Sequence, residues 1–436
     1  AYLARGDQDN ERDNKALITQ IVALRAEKAA LLGFETYAHV VLDDRMAKNP
    51  AAVEERLDSV WPSAVARANE EAADLAAMKK ADGFKDPLTG GDWRHYSERV
   101  KKERFDIDDE ALRPYFEVHA VRDGAFSVAQ KLFGLEFEEK VDLPRWHPDQ
   151  EVFEVKDSDG SHIGILYLDF YTRESKRGGA WMASLRPQSE LLDETPVVTV
   201  NCNFPPPTAG APSLLSFDEA STLFHEFGHA VHGLLSDVTY PSVAGTRVPR
   251  DFVEFPSQVM ENWMSEPEVL QMFARHVETG EPIPEELITK LQASKKFNQG
   301  FAVVEYMAAA YLDLRWHTLK QADSQISDVR AFEEATLNEI GLPDLIPPRY
   351  RSTYFRHIFS GGYAAGYYSY QWSEVLDADA FAAFQETSLF DADTAARYRA
   401  LLSQGGSRPG MDLYREFRGR DPEIGALLTR LGFDQK

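Results

Sequence analysis

The sequence predicts a mainly α-helical fold with a small antiparallel β-sheet beside one motif-bearing helix, and three observations predict it. Apolar residues recur at helical spacing through most of the chain, as in KALITQIVALRAEKAALLG at residues 15–33. One stretch, EVFEVKDSDGSHIGILYLDFY at 151–171, instead alternates apolar and polar residues on both sides of DSDG, the pattern of a β-hairpin. The segment SFDEASTLFHEFGHAVHGLL at 216–235 has the apolar periodicity of a mostly buried helix, with Ser216 or Asp218 placed to cap its start.

Taken in order, the first helix stops at Gly33, and a second, Ala- and Glu-rich, runs from about Pro50 to Lys80. Shorter helices are predicted over Asp92–Lys102, Asp108–Tyr115 and Val118–Phe133. His39, His95, His119 and His147 fall singly among these elements and read as structural or surface residues. After the hairpin comes KRGGAW (Lys176–Trp181), whose paired glycines suggest a mobile or substrate-approaching loop. A third strand, Thr195–Asn203, precedes the 216–235 helix; a strand there could add to an extended peptide or simply pack. Downstream, DFVEFPSQVMENWM reads as a helix capped by Asp251. Further helices follow over Pro267–Thr279, Pro284–Leu319 with a break near Asn298 and Gly300, and Asp328–Ile340. Pro347–Trp372 crowds tyrosines around Gly361, Gly362 and Gly366, and short helices close the chain from Thr394 to Leu431.

With 43% apolar and 11% aromatic residues, the 436-residue chain can bury a large core. A formal charge of −24 argues against nucleic acid and anionic membranes as partners. The single cysteine, Cys202, excludes an internal disulfide and a Cys-rich structural metal site, and fits a reducing, cytoplasmic setting; the periplasm stays open, since the native N-terminus need not be Ala1. No apolar run approaches the length of a bilayer span.

The chemistry sits in His225, Glu226 and His229, an H-E-x-x-H pattern. Residues four apart on a helix stand one turn above each other, so both imidazoles can reach one zinc ion while the Glu between them takes a proton from water. A buried helix with two self-satisfied histidines is the bland alternative. Two imidazoles and a carboxylate among Phe224, Phe227, Gly228 and Ala230 would be costly without a cation, which disfavours it. His232 lies about 10 Å farther along the backbone, too far for comfortable shared coordination, and reads as supporting or substrate-facing. A third ligand is needed if one position is to stay open. Glu254, between Val253 and Phe255, is the best candidate by environment, with Glu261, Glu266 and Glu268 read as solvated or supporting; spacing alone does not decide.

The stretches LRAEKAALLGF, KRGGAWM, TLFHEFGHAVHGL, GTRVPRDFVEFPSQ, PPRYRSTYFRHIF and GGYAAGYYSYQW together resemble the thimet-oligopeptidase-like family of zinc metallopeptidases, from near residue 15 to the C-terminus. The resemblance implies a zincin-like helical metallopeptidase with a deep substrate cleft. Residues 1–150 would form a helical part of the cleft wall and 151–436 the zinc-binding catalytic region, in one continuous body. It implies one zinc ion on His225, His229 and Glu254, with Glu226 as general base. It makes Tyr363 and Tyr370 stabilisers of the transition state and His357 a further substrate contact. The implied activity is that of a peptidyl-dipeptidase, releasing C-terminal dipeptides from short peptides, in a monomer. The family's N-terminal helical portion is expected to be absent, so that the chain corresponds to the C-terminal catalytic part, either alone or associated with that portion. For the substrate's terminal carboxylate, Arg250, Arg349, Arg351, His357 and Tyr367 are candidates. The rival readings are an oligopeptidase cutting internal bonds, a catalytically silent peptide-binding relative, and another hydrolase on the same kind of helix.

Overall fold

In a computed structural model of the chain, residues 2–107, 109–208 and 210–433 are described. Two compact units form, each from separated stretches of chain: Ala1–Arg104, Lys296–Trp372 and Leu428–Lys436 in the first, Phe105–Lys295 and Ser373–Leu427 in the second. Their boundaries fall at 104/105, 295/296, 372/373 and 427/428, where the sequence suggests a division at 150/151.

The second unit holds a five-stranded sheet of β1 (Glu136–Glu139), β2 (Glu151–Lys156), β3 (His162–Tyr171), β4 (Trp181–Arg186) and β5 (Val197–Phe204). The predicted hairpin is β2–β3, closed by a turn in which the Gly160 N–H donates to the Asp157 carbonyl at 2.8 Å, with Gly160 at φ +83°. The order is β1-β2-β3-β5-β4, and the sheet is mixed, which corrects the antiparallel expectation. Strand β5 runs parallel to β3, pairing Ile165 with Val197 and Leu168 with Val200. The reason is that the chain leaves β3, forms β4 on the far edge, and returns antiparallel to it through the middle as β5. That central position explains why consecutive residues of β5 are buried, from Val198 through Cys202. Strand β4 also revises the reading of KRGGAW: the glycines lie between strands, but Trp181 already belongs to β4.

The expected 216–235 helix spans Phe217–Leu234 and packs on β3, β4 and β5 and against the helix Phe255–Met264. Gly228 makes the helix pair possible, since a Cβ there would lie 2.7 Å from the Ser257 Cα and 2.9 Å from the Pro256 carbonyl oxygen. The helix predicted from Asp251 is two pieces, Arg250–Val253 and Phe255–Met264, interrupted at Glu254. Pro256 has no N–H to continue the first piece's hydrogen-bond ladder, so the helix restarts there. The sequence also overextends Pro267–Thr279, which ends at Phe273.

In the first unit the long helix Pro50–Ala81 packs against Gln299–His317. The predicted break near Asn298 is present, with Asn298 at φ +60°. The buried Glu71 carboxylate accepts the Gly300 and Phe301 N–H groups at 3.0 and 2.9 Å, satisfying N–H groups that the first turn of the second helix cannot pair itself. The short helix expected from Asp108 runs over Asp109–Leu112, then a tight turn over Arg113–Tyr115; Asp108 lies outside the described residues.

Candidate functional site

Of the two possible caps, the structure uses Ser216 in a reciprocal pair. The Glu219 N–H donates to Ser216 Oγ at 3.1 Å, and the Ser216 N–H to the Glu219 carboxylate at 2.8 Å. The helix thus anchored carries His225, Glu226 and His229. The interruption at Glu254 brings that carboxylate to both rings, with Glu254 Oε2 3.3 Å from His225 Nε2 and 3.1 Å from His229 Nε2. One donor atom from each of the three residues lies within 4.8 Å of the others. Two ligands bound tetrahedrally to one zinc at ordinary bond lengths stand about 3.4 Å apart, so these separations fit a common ion. The donor set, two imidazoles and a carboxylate, is also of the right chemistry.

The surroundings sharpen the geometry. His225 Nδ1 lies 2.5 Å from Glu261 Oε1, which fixes the ring so that Nε2 faces Glu254. This is the outer carboxylate that commonly orients a metal-binding imidazole, and it gives Glu261 the supporting place the sequence allowed it. Burial opposes ionisation of Glu254, but hydrogen bonds from His225 and His229 outweigh it and hold the carboxyl well below the usual range. Burial likewise opposes charging His225, yet its bonds to Glu254 and Glu261 prevail and push it well up.

Glu226 is treated differently. It is buried, burial pushes its carboxyl up, and the neighbouring histidines and the Met182 N–H only partly oppose this. Its Oε2 has no hydrogen-bond partner among the described residues. A buried carboxylate with an unengaged oxygen is suited to exchanging a proton with a nearby water. His232 is fully buried, which removes it from the substrate-facing role, and burial followed by the His229 charge pushes it down to about 3.

These four residues belong to the second unit, whereas His357, Tyr363 and Tyr370 belong to the first. There they gather in one aromatic group. The Tyr363 and Tyr370 rings stack at 5.3 Å with 10° between planes, and His357 meets Tyr363 edge-on at 5.8 Å. Tyr367 is buried against both His357 and Tyr370. Among the carboxylate-binding candidates, Arg351 is committed to Glu333 at 2.5 Å and the Leu3 carbonyl at 2.9 Å. Arg349 lies beside Tyr350, Tyr367 and Glu305.

A helix bearing H-E-x-x-H, joined by a downstream Glu in a helical frame with a small sheet, defines the class of metallopeptidases. The chain belongs to Peptidase family M3, whose profile matches residues 1–433. It is 42% identical over 436 residues to the dipeptidyl carboxypeptidase of Escherichia coli (strain K12), covering 99% of this chain and 63% of that protein. It is 40% identical over 433 residues to oligopeptidase A of the same organism, covering 98% of this chain and 64% of that one. The chain therefore spans somewhat under two thirds of these relatives' length. In fold it is similar to the M32 carboxypeptidase from Deinococcus radiodurans R1, with a TM-score of 0.54 at 14% identity over 98% of this chain and 75% of that one. No helix among the described residues is long and apolar enough to cross a membrane.

Proposed function

We propose that this protein is a zinc-dependent peptidyl-dipeptidase that removes dipeptides from the C-terminus of short peptides. The observation that carries the reading is the convergence of His225, His229 and Glu254 beside a buried Glu226 with an unengaged oxygen. A zinc ion held by those three residues would lower the pKa of a water in its open position and polarise the scissile carbonyl. Glu226 takes the proton of the attacking water and hands it to the leaving amine. The raised pKa of its carboxyl supports this, because it brings the group's affinity for a proton closer to that needed at neutral pH. Tyr363 and Tyr370 donate their phenolic hydrogens to the developing oxyanion, each contributing about 2.7–4 kcal/mol by analogy with other oxyanion donors. His357 contacts the substrate. Peptides are the only partner this reading requires, and the protein works as a monomer in the cytoplasm.

Cleavage of internal bonds in short peptides is a second reading, favoured by the nearly equal identities of 42% and 40% to the two relatives. A decapeptide offered as the free acid and as the C-terminal amide, with products read by mass spectrometry, separates the two. Successive loss of dipeptides from the free acid alone is the expected result. Equal cleavage of both forms at internal bonds would replace the first reading with the second, and no chelator-sensitive cleavage of either would overturn both.

A further inference from the structure

The loop that carries Tyr363 leads through Ala365, at φ +50°, to Tyr367 and then to the helix Ser369–Gln385. An alanine in the left-handed region is unusual and strained unless the surroundings hold it there. What holds it is a single face of the helix Gln299–His317. Tyr306, Asp313 and His317 are spaced by seven and four residues, so they line one side of that helix. The buried Asp313 carboxylate accepts the Ala365 N–H on Oδ1 at 2.9 Å and the Tyr367 N–H on Oδ2 at 2.8 Å. Tyr306 donates its hydroxyl to the Tyr367 carbonyl at 2.6 Å and receives the Gln371 N–H at 3.2 Å.

The carboxylate is itself oriented. Arg25 Nη1 lies 2.8 Å from His317 Nε2, and a guanidinium can only donate, so Nε2 is the acceptor and the ring proton resides on Nδ1. His317 Nδ1 is 2.8 Å from both the Asp313 carbonyl and its Oδ1. A protonated Nδ1 cannot accept the Ala365 N–H lying 3.2 Å away, which leaves that hydrogen to Asp313. Arg25 donates to His317 and His317 to Asp313, and the Asp313 carboxylate so oriented accepts the backbone N–H groups of the tyrosine loop.

We propose that Asp313, oriented by His317 and Arg25, is the positioning residue of the tyrosine loop, holding residues 365–367 so that Tyr363 and Tyr370 are fixed for their work. The inference rests on the reading of those two tyrosines as oxyanion donors. The test is made on the whole protein with Asp313→Asn, which keeps the side chain's shape but turns one of its two acceptors into a donor facing a backbone N–H. Hydrogen exchange of the peptide covering residues 361–368 should accelerate about tenfold or more. With a free-acid decapeptide, kcat should fall on the order of tenfold while KM stays within about twofold. In a Tyr363→Phe/Tyr370→Phe background the further loss should shrink to under about threefold, because the aspartate acts through those hydroxyls. Should Asp313→Asn fail to melt cooperatively, the half-buried Arg25→Met, which frees the His317 tautomer, should change exchange and kcat in the same directions by about threefold.

Unchanged exchange in whichever variant folds would overturn the proposal, as would a kcat loss that is fully additive with the tyrosine substitutions. If the tyrosine double variant alone keeps normal kcat, the reading of the tyrosines falls, and with it any catalytic role for Asp313; the exchange measurement still decides separately whether Asp313 holds the loop.

Discussion

The helix pair around His225 and the loop around Tyr363 both fix polar side chains, by opposite means. In the first, geometry is local: His225, Glu226 and His229 are adjacent turns of one capped helix, and Glu254 follows after a break made by the nearby Pro256. In the second, isolated turn bonds such as Tyr363 N–H to the His357 carbonyl and Gly366 N–H to the Tyr363 carbonyl are not enough to make regular structure. The Ala365 and Tyr367 N–H groups instead donate to Asp313, some fifty residues earlier in the chain. A site built from periodicity announces itself in a short motif. One built from long-range bonds to a buried carboxylate shows only its exposed half, here a cluster of tyrosines and glycines.

That contrast can be broken first at Glu226. Glu226→Gln should lower kcat by about a thousandfold, with zinc content measured by plasma emission unchanged; a near-normal rate would remove Glu226 from proton transfer. Tyr363→Phe should cost less, about a hundredfold in kcat with KM little altered, measured on a free-acid peptide. Equal losses from the two substitutions would remove the distinction drawn between proton transfer and oxyanion stabilisation. Smaller again is Glu261→Gln, which loosens the His225 ring without removing a ligand. A competition titration with a zinc-sensitive dye should show affinity reduced about tenfold.

The smallest effect lies outside both regions. His119 bonds to Glu117 and Glu151 at 2.8 and 2.9 Å, and these partners push its pKa up to about 9. Because the folded value is raised from the ordinary histidine value of 6.5, the stabilisation is complete below about pH 6.5 and is lost as pH rises through about 9. The side chain is 45% exposed, so solvent screening leaves under about 1 kcal/mol. His119→Gln should destabilise by that amount in urea melts at pH 6, and the difference should vanish above about pH 9.5.

How much was legible follows the same division. Helix 118–133 and the hairpin could be read almost to the residue, because their periodicity and turn chemistry lie within the stretch itself. The buried capping of Gly300 by Glu71 could not, since nothing near residue 71 indicates which helix start it serves. The parallel β3–β5 pair is not legible because MASLR after the glycine loop carries no strand signal, so the return of the chain through β4 is invisible in the sequence. At the site, the motif and the apolar setting of Glu254 point to three side chains that do converge, whereas nothing in the sequence separates Glu261 from Glu266 and Glu268 among carboxylates read as solvated or supporting. Asp313 has no signature in the sequence, because it acts through a contact that only the fold creates.

The most direct test of the account is an anomalous-scattering map collected at the zinc edge on crystals grown with stoichiometric zinc. A single peak about 2 Å from His225 Nε2, His229 Nε2 and a Glu254 carboxylate oxygen is the predicted result. A map with no peak there, or with its strongest peak on other residues, would contradict it.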